Sequence, residues 1–527
     1  MLCGAGTRLL ECTTRESSGA EPRCSKNIVQ AHSLFTGDPS LMRKAKIVCT
    51  IGPASAEPSI LERLILSGMD VARLNFSHGT HDSHRAAIAS IRAVAERLHR
   101  PVAIVQDLQG PRIRVGELEA AGVEVTAEQR IRLVGGGLPS GGRMGGQTPS
   151  HPNLMEVPVT YPQLARDVRP GAKVLIDDGL IELLVTAVSG GAIECRVKTG
   201  GRIMSHKGIN LPGTTISAAT ITEKDQKDIR FGVTEGVDYI ALSFVRGSED
   251  VQAARRLVAE YGGDQPIIAK IERPEAVAAL DSLLGDADGI MIARGDLGVE
   301  MGPEVVPILQ KRIITKANRH RRLVITATQM LESMTRQPSP TRAEASDVAN
   351  AIFDGTDAVM LSAETARGQY PVESIQVMDR IVRAAEDEAV HLNVGPVEHS
   401  AGRDHRSVPE AMCASAASAA AETQAAAIAA FSESGRTARL LSKQRPVAPI
   451  IAFTPHDPVR RRMALYWGVL PRLMGRVHDP DDRVNAVEHR LVEERLAGSG
   501  DCIVLLSGTV AGQLGGTNTM KLHRIPS

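Results

Sequence analysis

Short apolar runs recur along most of the chain, separated by stretches in which apolar residues return every third or fourth position. The runs near 47–51, 71–76, 102–105, 239–244, 267–271, 290–293, 323–327 and 358–361 read as buried strands. Amphipathic stretches such as 58–66, 84–98, 249–260, 305–320 and 343–353 read as the helices between them. Residues 274–284 give one more helix, with Pro274 near its start. Eight alternations predict a (β/α)8 TIM barrel over 42–111 and 214–390. Residues 112–213 break the rhythm. They are Gly-rich and β-patterned, with runs at 131–134, 157–161, 174–176, 180–188 and 193–197, and predict a small inserted β-barrel lid. After a polar linker at 391–406, strands near 426–431, 449–453, 469–474 and 502–506 alternate with helices, predicting a C-terminal open α/β sheet over 407–527. Residues 1–41 read as a weakly ordered extension.

Polar residues fall repeatedly at the C-terminal ends of the barrel runs, where this architecture carries its chemistry. They are Thr50, Arg73 and Asn75, Asp107, Ser243, Lys270 and Glu272, Asp296, Thr328, and then Ser362 and Glu364. Residues two apart share a strand face, so Lys270 and Glu272 point the same way. With Asp296 on the next strand end, one ammonium and two carboxylates converge, a donor set suited to a hard divalent cation. The alternative is ordinary strand-end punctuation, which would not select Arg, Lys, Asp and Glu at so many ends. In the third unit, Ser432-Glu433-Ser434-Gly435-Arg436-Thr437 follows a strand and opens a helix, a ready anion site. A helix cap with a flexible loop, 507–517, explains the same spacing.

Composition narrows the partners. Lys plus Arg and Asp plus Glu both number 61, and aromatic residues make up 2%, which argues against nucleic acid and an anionic membrane surface. At 527 residues the chain has room for about three domains. Seven cysteines without paired spacing fit a reduced, cytoplasmic compartment. No apolar stretch reads as a membrane span or a secretory signal.

Several motifs together resemble the pyruvate kinase family. They are Lys46-Ile47-Val48-Cys49-Thr50-Ile51-Gly52-Pro53, Ala72-Arg73-Leu74-Asn75-Phe76-Ser77-His78-Gly79 and Gly208-Ile209-Asn210-Leu211-Pro212-Gly213. Lys270-Ile271-Glu272 and the runs 293–298, 327–334 and 361–365 belong with them. The resemblance runs in order from Arg43 to the C-terminus. It implies phosphoryl transfer from phosphoenolpyruvate to ADP in glycolysis, a Mg2+ or Mn2+ cofactor, a homotetramer and an allosteric C-terminal domain. Carried over by position, Glu272 and Asp296 would hold the divalent ion. Lys270 and Arg73 would act on the phosphoryl group, and Ala293, Gly295, Asp296, Thr328 and Ser243 would line the substrate. Thr328, Ser362 and Glu364 would serve enolate protonation. Thr50, Pro53, Asn75, His78, Arg114, Asp177 and Lys207 resemble nucleotide-contacting positions, and Arg114 also resembles a phosphate contact.

Two departures stand out. Members that need K+ bind it at positions matching Asn75, Ser77 and Asp107 and the carbonyl at Leu108, and carry a glutamate where this chain has Arg112. A fixed guanidinium there implies a vestigial site and no K+ requirement. In the effector segment, Ser432, Ser434, Gly435, Arg436 and Thr437 permit one phosphate, as in AMP or a sugar monophosphate. Glu433 disfavours fructose-1,6-bisphosphate. A metal-dependent lyase acting on pyruvate enolates and a non-catalytic effector-binding paralogue are the competing functions. The first would not require Lys270 or the lid, and the intact Arg73, Lys270, Glu272, Asp296 and Thr328 weigh against the second.

Overall fold

The computed structural model describes residues 42–136, 147–148, 151–391, 407–508 and 516–526. The expected extension, the linker beyond His391, the glycine-rich stretch 509–515, and Cys3, Cys12 and Cys24 lie outside them. Strands β1 (Lys46–Thr50), β2 (Val71–Asn75), β3 (Ala103–Asp107), β4 (Tyr239–Leu242), β5 (Ile267–Ile271), β6 (Gly289–Ala293), β7 (Leu323–Ala327) and β8 (Ala358–Leu361) close into a parallel barrel. Its order is β1-β8-β7-β6-β5-β4-β3-β2. The strands read as unbroken apolar runs because both faces are covered. In β5, Ile267, Ala269 and Ile271 pack outward under the helices, while Ile268 joins the interior core. Lys270 shares the inward parity of Ile268. The expected helix 274–284 is two pieces, Pro274–Ala278 and Leu280–Asp286, meeting at Ala279.

The floor of the barrel is built by a repeated device. Asp70, Asp238, Asp288 and Asp357 each stand one residue before β2, β4, β6 and β8. Each carboxylate accepts from an amide of the preceding strand: Ile47 N at 2.9 Å, Ile104 N at 2.8 Å, Ile267 N at 3.0 Å and Val324 N at 2.7 Å. Each is paired with a cation, in order Arg43, Arg92, Arg255 and Lys443. A carboxylate buried this way needs that partner.

Between β3 and the helix Glu223–Thr234 lies the insertion. It forms a seven-stranded sheet and a two-stranded one. The larger runs in the order Ile209–Asn210, Lys173–Ile176, Ile181–Ser189, Ala192–Thr199, Arg130–Gly135, His151–Val159 and Gln147–Thr148. Leu133, Val157, Val174, Leu183 and Ile193 are fully buried in its own core.

The C-terminal sheet has five strands, β9 (Ala427–Phe431), β10 (Ile450–Thr454), β11 (Val469–Leu473), β12 (Cys502–Gly508) and β13 (Thr517–Arg524), in the order β11-β10-β9-β12-β13. The antiparallel edge strand β13 had no expectation in the sequence. Most of its side chains are exposed, so it carries almost no apolar alternation to read. This unit caps the barrel floor. Interior barrel residues such as Val48, Met291 and Met360 belong to one apolar cluster with Cys413, Ile428 and Leu441. Lys46 Nζ donates to Val469 O at 2.9 Å, and Arg461 pairs with Asp238 at 3.0 Å. Lys443 and Arg445 close on Asp357 at 2.5 and 2.8 Å. Among the described residues no helix is long and apolar enough to cross a membrane, and Cys49, Cys195, Cys413 and Cys502 are unpaired.

Lys443 and Asp357 are fully buried, and burial pulls the Lys443 pKa down to about 8. An unfolded chain keeps that proton up to about pH 10.4. Between those values the unfolded state binds more protons, so this residue makes stability rise with pH. Lys443→Met should remove that rise and destabilise the fold by about 3 kcal/mol at neutral pH, because Asp357 retains only Arg445. Denaturant unfolding across that pH range reads both effects. An unchanged midpoint would show that the pair does not hold the floor.

Candidate active site

The C-terminal ends of the barrel strands open into a cavity of about 210 Å³, lined by Arg73, Asn75, Ser77, Arg112, Ser243, Lys270, Glu272, Ala293, Asp296, Thr328 and Ser362. Inward parity on five strands or their ends aims Arg73, Asn75, Ser243, Lys270, Glu272, Ala293 and Ser362 into it, while Asp296 enters from the helix that follows β6, Thr328 through a left-handed turn after β7, and Arg112 from the insertion. Gln109, Phe244, Met291 and Met360 also line it, and the sequence offered no chemical signal for them.

A buried charge cluster forms its base. Lys270 Nζ lies 2.8 Å from Glu272 Oε1 and 3.1 Å from Asp107 Oδ1, and donates to Ser243 Oγ at 2.7 Å. Burial alone would lower the ammonium pKa, but Asp107 and Glu272 outweigh it and hold Lys270 above its ordinary value. Arg73 Nε donates to Asp107 Oδ2 at 2.6 Å, and its Nη1 donates to Thr50 Oγ1 at 2.9 Å. Thr50 Oγ1 in turn donates to Leu361 O at 2.9 Å. Burial works against the Asp107 carboxylate, yet Lys270 and Arg73 hold it below the usual range. Thr50 and Asp107 therefore sit behind Arg73, outside the cavity lining. Leu108 is buried, and its carbonyl accepts from Ser243 Oγ at 2.6 Å.

Glu272 behaves differently. Burial pushes its pKa up; Lys270 opposes that, and the neighbouring Asp296 adds to it. Its Oε2 accepts from Phe244 N at 2.6 Å. Two hard carboxylates facing one cavity, with Asp296 raising the protonation of Glu272, fit a divalent cation, which would relieve that repulsion. Among the described residues no group of three or more His, Cys, Asp and Glu side chains could cage a metal. The remaining donors would thus come from substrate and water.

Asp296 lies in the first turn of helix α1 (Arg294–Met301). Gly295 N donates to Thr328 Oγ1 at 2.9 Å, so the amide and hydroxyl expected to share a substrate carboxylate already face each other. Thr328, Gln329 and Phe244 hold positive φ of 68°, 53° and 54°, strained backbone at the rim. Arg294 fastens that loop from outside, donating to Thr328 O at 2.7 Å and Asp347 Oδ1 at 2.7 Å. Ser362 Oγ is buried without a hydrogen-bond partner at the cavity wall. Glu364 lies wholly behind it, accepting from Ser362 N and Leu331 N at 2.7 and 3.1 Å, and burial raises its pKa.

Above the rim, Arg112 reaches Asp296 at 3.6 Å and Asp178 at 3.5 Å. His78 is exposed at the rim, and partial desolvation together with Arg114, Arg367, Arg112 and Arg73 pulls its pKa down. These groups make one cationic region beside the cavity, and Arg367 is its member that sequence reading missed. Lys207 and Asp177 pair with each other at 2.9 Å. Pro53 lies in the turn after β1 and does not line the cavity.

A separate, smaller cavity of about 80 Å³ in the C-terminal unit is lined by Ser432, Glu433, Ser434, Arg436, Thr437, Arg476, Arg483 and Gly516. Gly435 caps the short helix α2 (Arg436–Ser442) with φ 80° and does not itself line the space. Arg476 takes Glu433 in a two-pronged pair at 3.0 Å, His456 adds a contact at 2.7 Å, and Thr437 Oγ1 bonds Thr517 Oγ1 at 2.6 Å.

Family models match in both halves: "Pyruvate kinase, barrel domain" over residues 42–375 and "Pyruvate kinase, alpha/beta domain" over 410–523. Pyruvate kinases of Sporosarcina psychrophila and Geobacillus stearothermophilus are each 45% identical, over 92% of this chain and 81% of their own length. That of Agrobacterium vitis is 42% identical over 91% of this chain and 98% of its own. With its barrel, its inserted sheet and its C-terminal α/β unit, the chain belongs to the pyruvate kinase family.

Proposed function

We propose that this protein transfers the phosphoryl group of phosphoenolpyruvate to ADP, giving pyruvate and ATP, at the C-terminal rim of its barrel. The observation that carries the reading is the convergence of Arg73, Lys270, Glu272, Asp296 and Thr328 on one cavity. Arg73 is oriented by Asp107 and Thr50, leaving the outer edge of its guanidinium for the phosphate. Lys270, kept charged by Asp107 and Glu272, stabilises negative charge on the transferring group and on the enolate oxygen. Glu272 and Asp296 would hold Mg2+ or Mn2+, which when bound supplies Lewis-acid polarisation and a template for the phosphate and carboxylate. Thr328 Oγ1 and the amides of Gly295 and Asp296 receive the substrate carboxylate, with Ala293 and Ser243 shaping the wall. Ser362 Oγ has unused hydrogen-bonding capacity and orders a water for protonation of the enolate, while Glu364 fixes its backbone.

The nucleotide lies between the rim and the insertion, against Pro53, Asn75, His78, Arg114, Asp177 and Lys207. Arg112 takes the place of a K+ ion beside Asn75, Ser77, Asp107 and the Leu108 carbonyl. In the C-terminal cavity, Ser432, Ser434, Gly435, Arg436 and Thr437 bind an effector with one phosphate, such as AMP or a sugar monophosphate. Glu433, already paired with Arg476, disfavours a bisphosphate there. We assign the units as a barrel at 42–111 and 214–390, a lid at 112–213 and a regulatory unit at 407–527, in a cytoplasmic homotetramer.

A lactate-dehydrogenase-coupled assay with phosphoenolpyruvate, ADP and Mg2+ tests the activity. Lys270→Ala should lower turnover by roughly 100–1000-fold, the scale of losing one preorganised donor to developing charge; near-normal turnover would remove Lys270 from the mechanism. Because protons and metal compete at Glu272, Mn2+ affinity should fall by about tenfold per pH unit once the solution drops below that raised pKa. Titration of Mn2+ by electron paramagnetic resonance reads this, and a pH-independent affinity would place the ion elsewhere. Turnover in buffer free of K+ should equal turnover with it, whereas strong K+ activation would contradict the role given to Arg112.

A further inference from the structure

Glu300 is a buried carboxylate that the chemistry above leaves unused. It lies on α1 one helical turn after Asp296, so the two acids share a face of that helix. It is 8% exposed, and burial raises its pKa against the opposing charge of Arg273. Its Oε1 accepts from Asn210 Nδ2 at 3.1 Å, while its Oε2 is buried and accepts nothing. Asn210 is equally informative. It belongs to the short strand Ile209–Asn210, which pairs antiparallel with Lys173–Ile176 through Ile209–Ile176 and Asn210–Leu175. That partner strand runs directly into Asp177, whose amide donates to Gly208 O at 3.0 Å. Lys207 precedes the same short strand and pairs with Asp177.

One side-chain hydrogen bond thus joins the helix carrying Asp296 to the strand pair carrying Asp177 and Lys207. Its neighbours act on the chain's crossings between barrel and insertion instead: Arg273 donates to Thr214 O at 3.0 Å, and Arg246 donates to Ile216 O at 2.7 Å. Arg112, on the outgoing crossing, adds the looser contact to Asp296.

We propose that Glu300 is a positioning residue that registers the insertion over the rim: through Asn210 it sets where Asp177 and Lys207 stand relative to Asp296. The inference rests on the reading that the nucleotide lies under the insertion. Losing the bond therefore loosens the nucleotide side of the site and spares the phosphoenolpyruvate side, where Arg73, Lys270, Gly295, Asp296 and Thr328 all come from the barrel.

The test compares Glu300→Ala, Glu300→Gln and Asn210→Ala in the full chain. Glutamine keeps an acceptor for Asn210 and drops the charge. Glu300→Ala and Asn210→Ala should each raise the KM for ADP on the order of tenfold, the size of one hydrogen bond to a charged acceptor. The KM for phosphoenolpyruvate should stay close to the parent value. Glu300→Gln should recover most of the loss, and the double alanine variant should be no worse than either single one. Parallel rises in both KM values, an unaffected KM for ADP, or additive losses would each overturn the proposal. Amide exchange in the ligand-free chain separates this from the assigned activity. Residues 173–177 and 207–210 should exchange faster in Glu300→Ala and at the parent rate in Glu300→Gln. Equal exchange in all variants removes the anchor even if the parent enzyme is active. Faster exchange in Glu300→Ala beside an inactive parent enzyme would sink the assigned reaction and leave the anchor standing. Asn210→Ala carries the kinetic test should Glu300→Ala fail to fold.

Discussion

Arg73, Lys270, Asp107 and Glu272 share a space from which water is largely excluded, and the site depends on their charges being met within that space. Asp107 takes Arg73 on one oxygen and Lys270 on the other, so neither cation has to find a partner in solvent. In low dielectric an unmatched charge is expelled or neutralised, whereas a matched one keeps both its position and its protonation. The balance is deliberately uneven around Glu272. It meets Lys270 on one side, which favours its charged form, and Asp296 on the other, which opposes it.

The barrel supports that arrangement from below. The aspartates before β2, β4, β6 and β8 tie each even strand to its odd predecessor, with every carboxylate held by an arginine or lysine. Two of those aspartates draw cations from the C-terminal unit: Arg461 at Asp238, and Lys443 with Arg445 at Asp357. The strand after Asp357 runs directly into Ser362, and the strand after Asp238 runs directly into Ser243, so the same short strands join the floor contacts to the rim residues. Rigid strands of four or five residues keep rim geometry tied to floor geometry.

Part of the chain's left-handed backbone lies at the rim. Phe244, Thr328 and Gln329 adopt left-handed backbone beside the cavity, and Asp177 and Asp178 do so in the insertion above it. Non-glycine residues hold such conformations only where surrounding contacts over-determine them. Arg294 gripping Thr328 O and Glu272 gripping Phe244 N are those contacts. Gly110 contributes from the other side: with φ 67° it approaches Phe244 and Ser243 so closely that a Cβ would lie 2.9 Å from the Phe244 ring.

The sequence by itself determined the strands of the barrel, because a parallel strand covered on both faces writes an uninterrupted apolar run. It also determined which residues face inward at the rim, because strand parity is local. That was enough to name Lys270 with Glu272, and Arg73 with Asn75. It could not reveal β13, whose exposed edge carries no apolar period, or the break at Ala279. Nor could it show that Asp107 is shared by Arg73 and Lys270, that Arg367 lies near His78, or that Asn210 meets Glu300. Those pairings join residues far apart in the chain, and no local pattern records which buried donor will face which acceptor. Only closure of the barrel, with the insertion folded back on α1 and the C-terminal unit pressed to the floor, decided them.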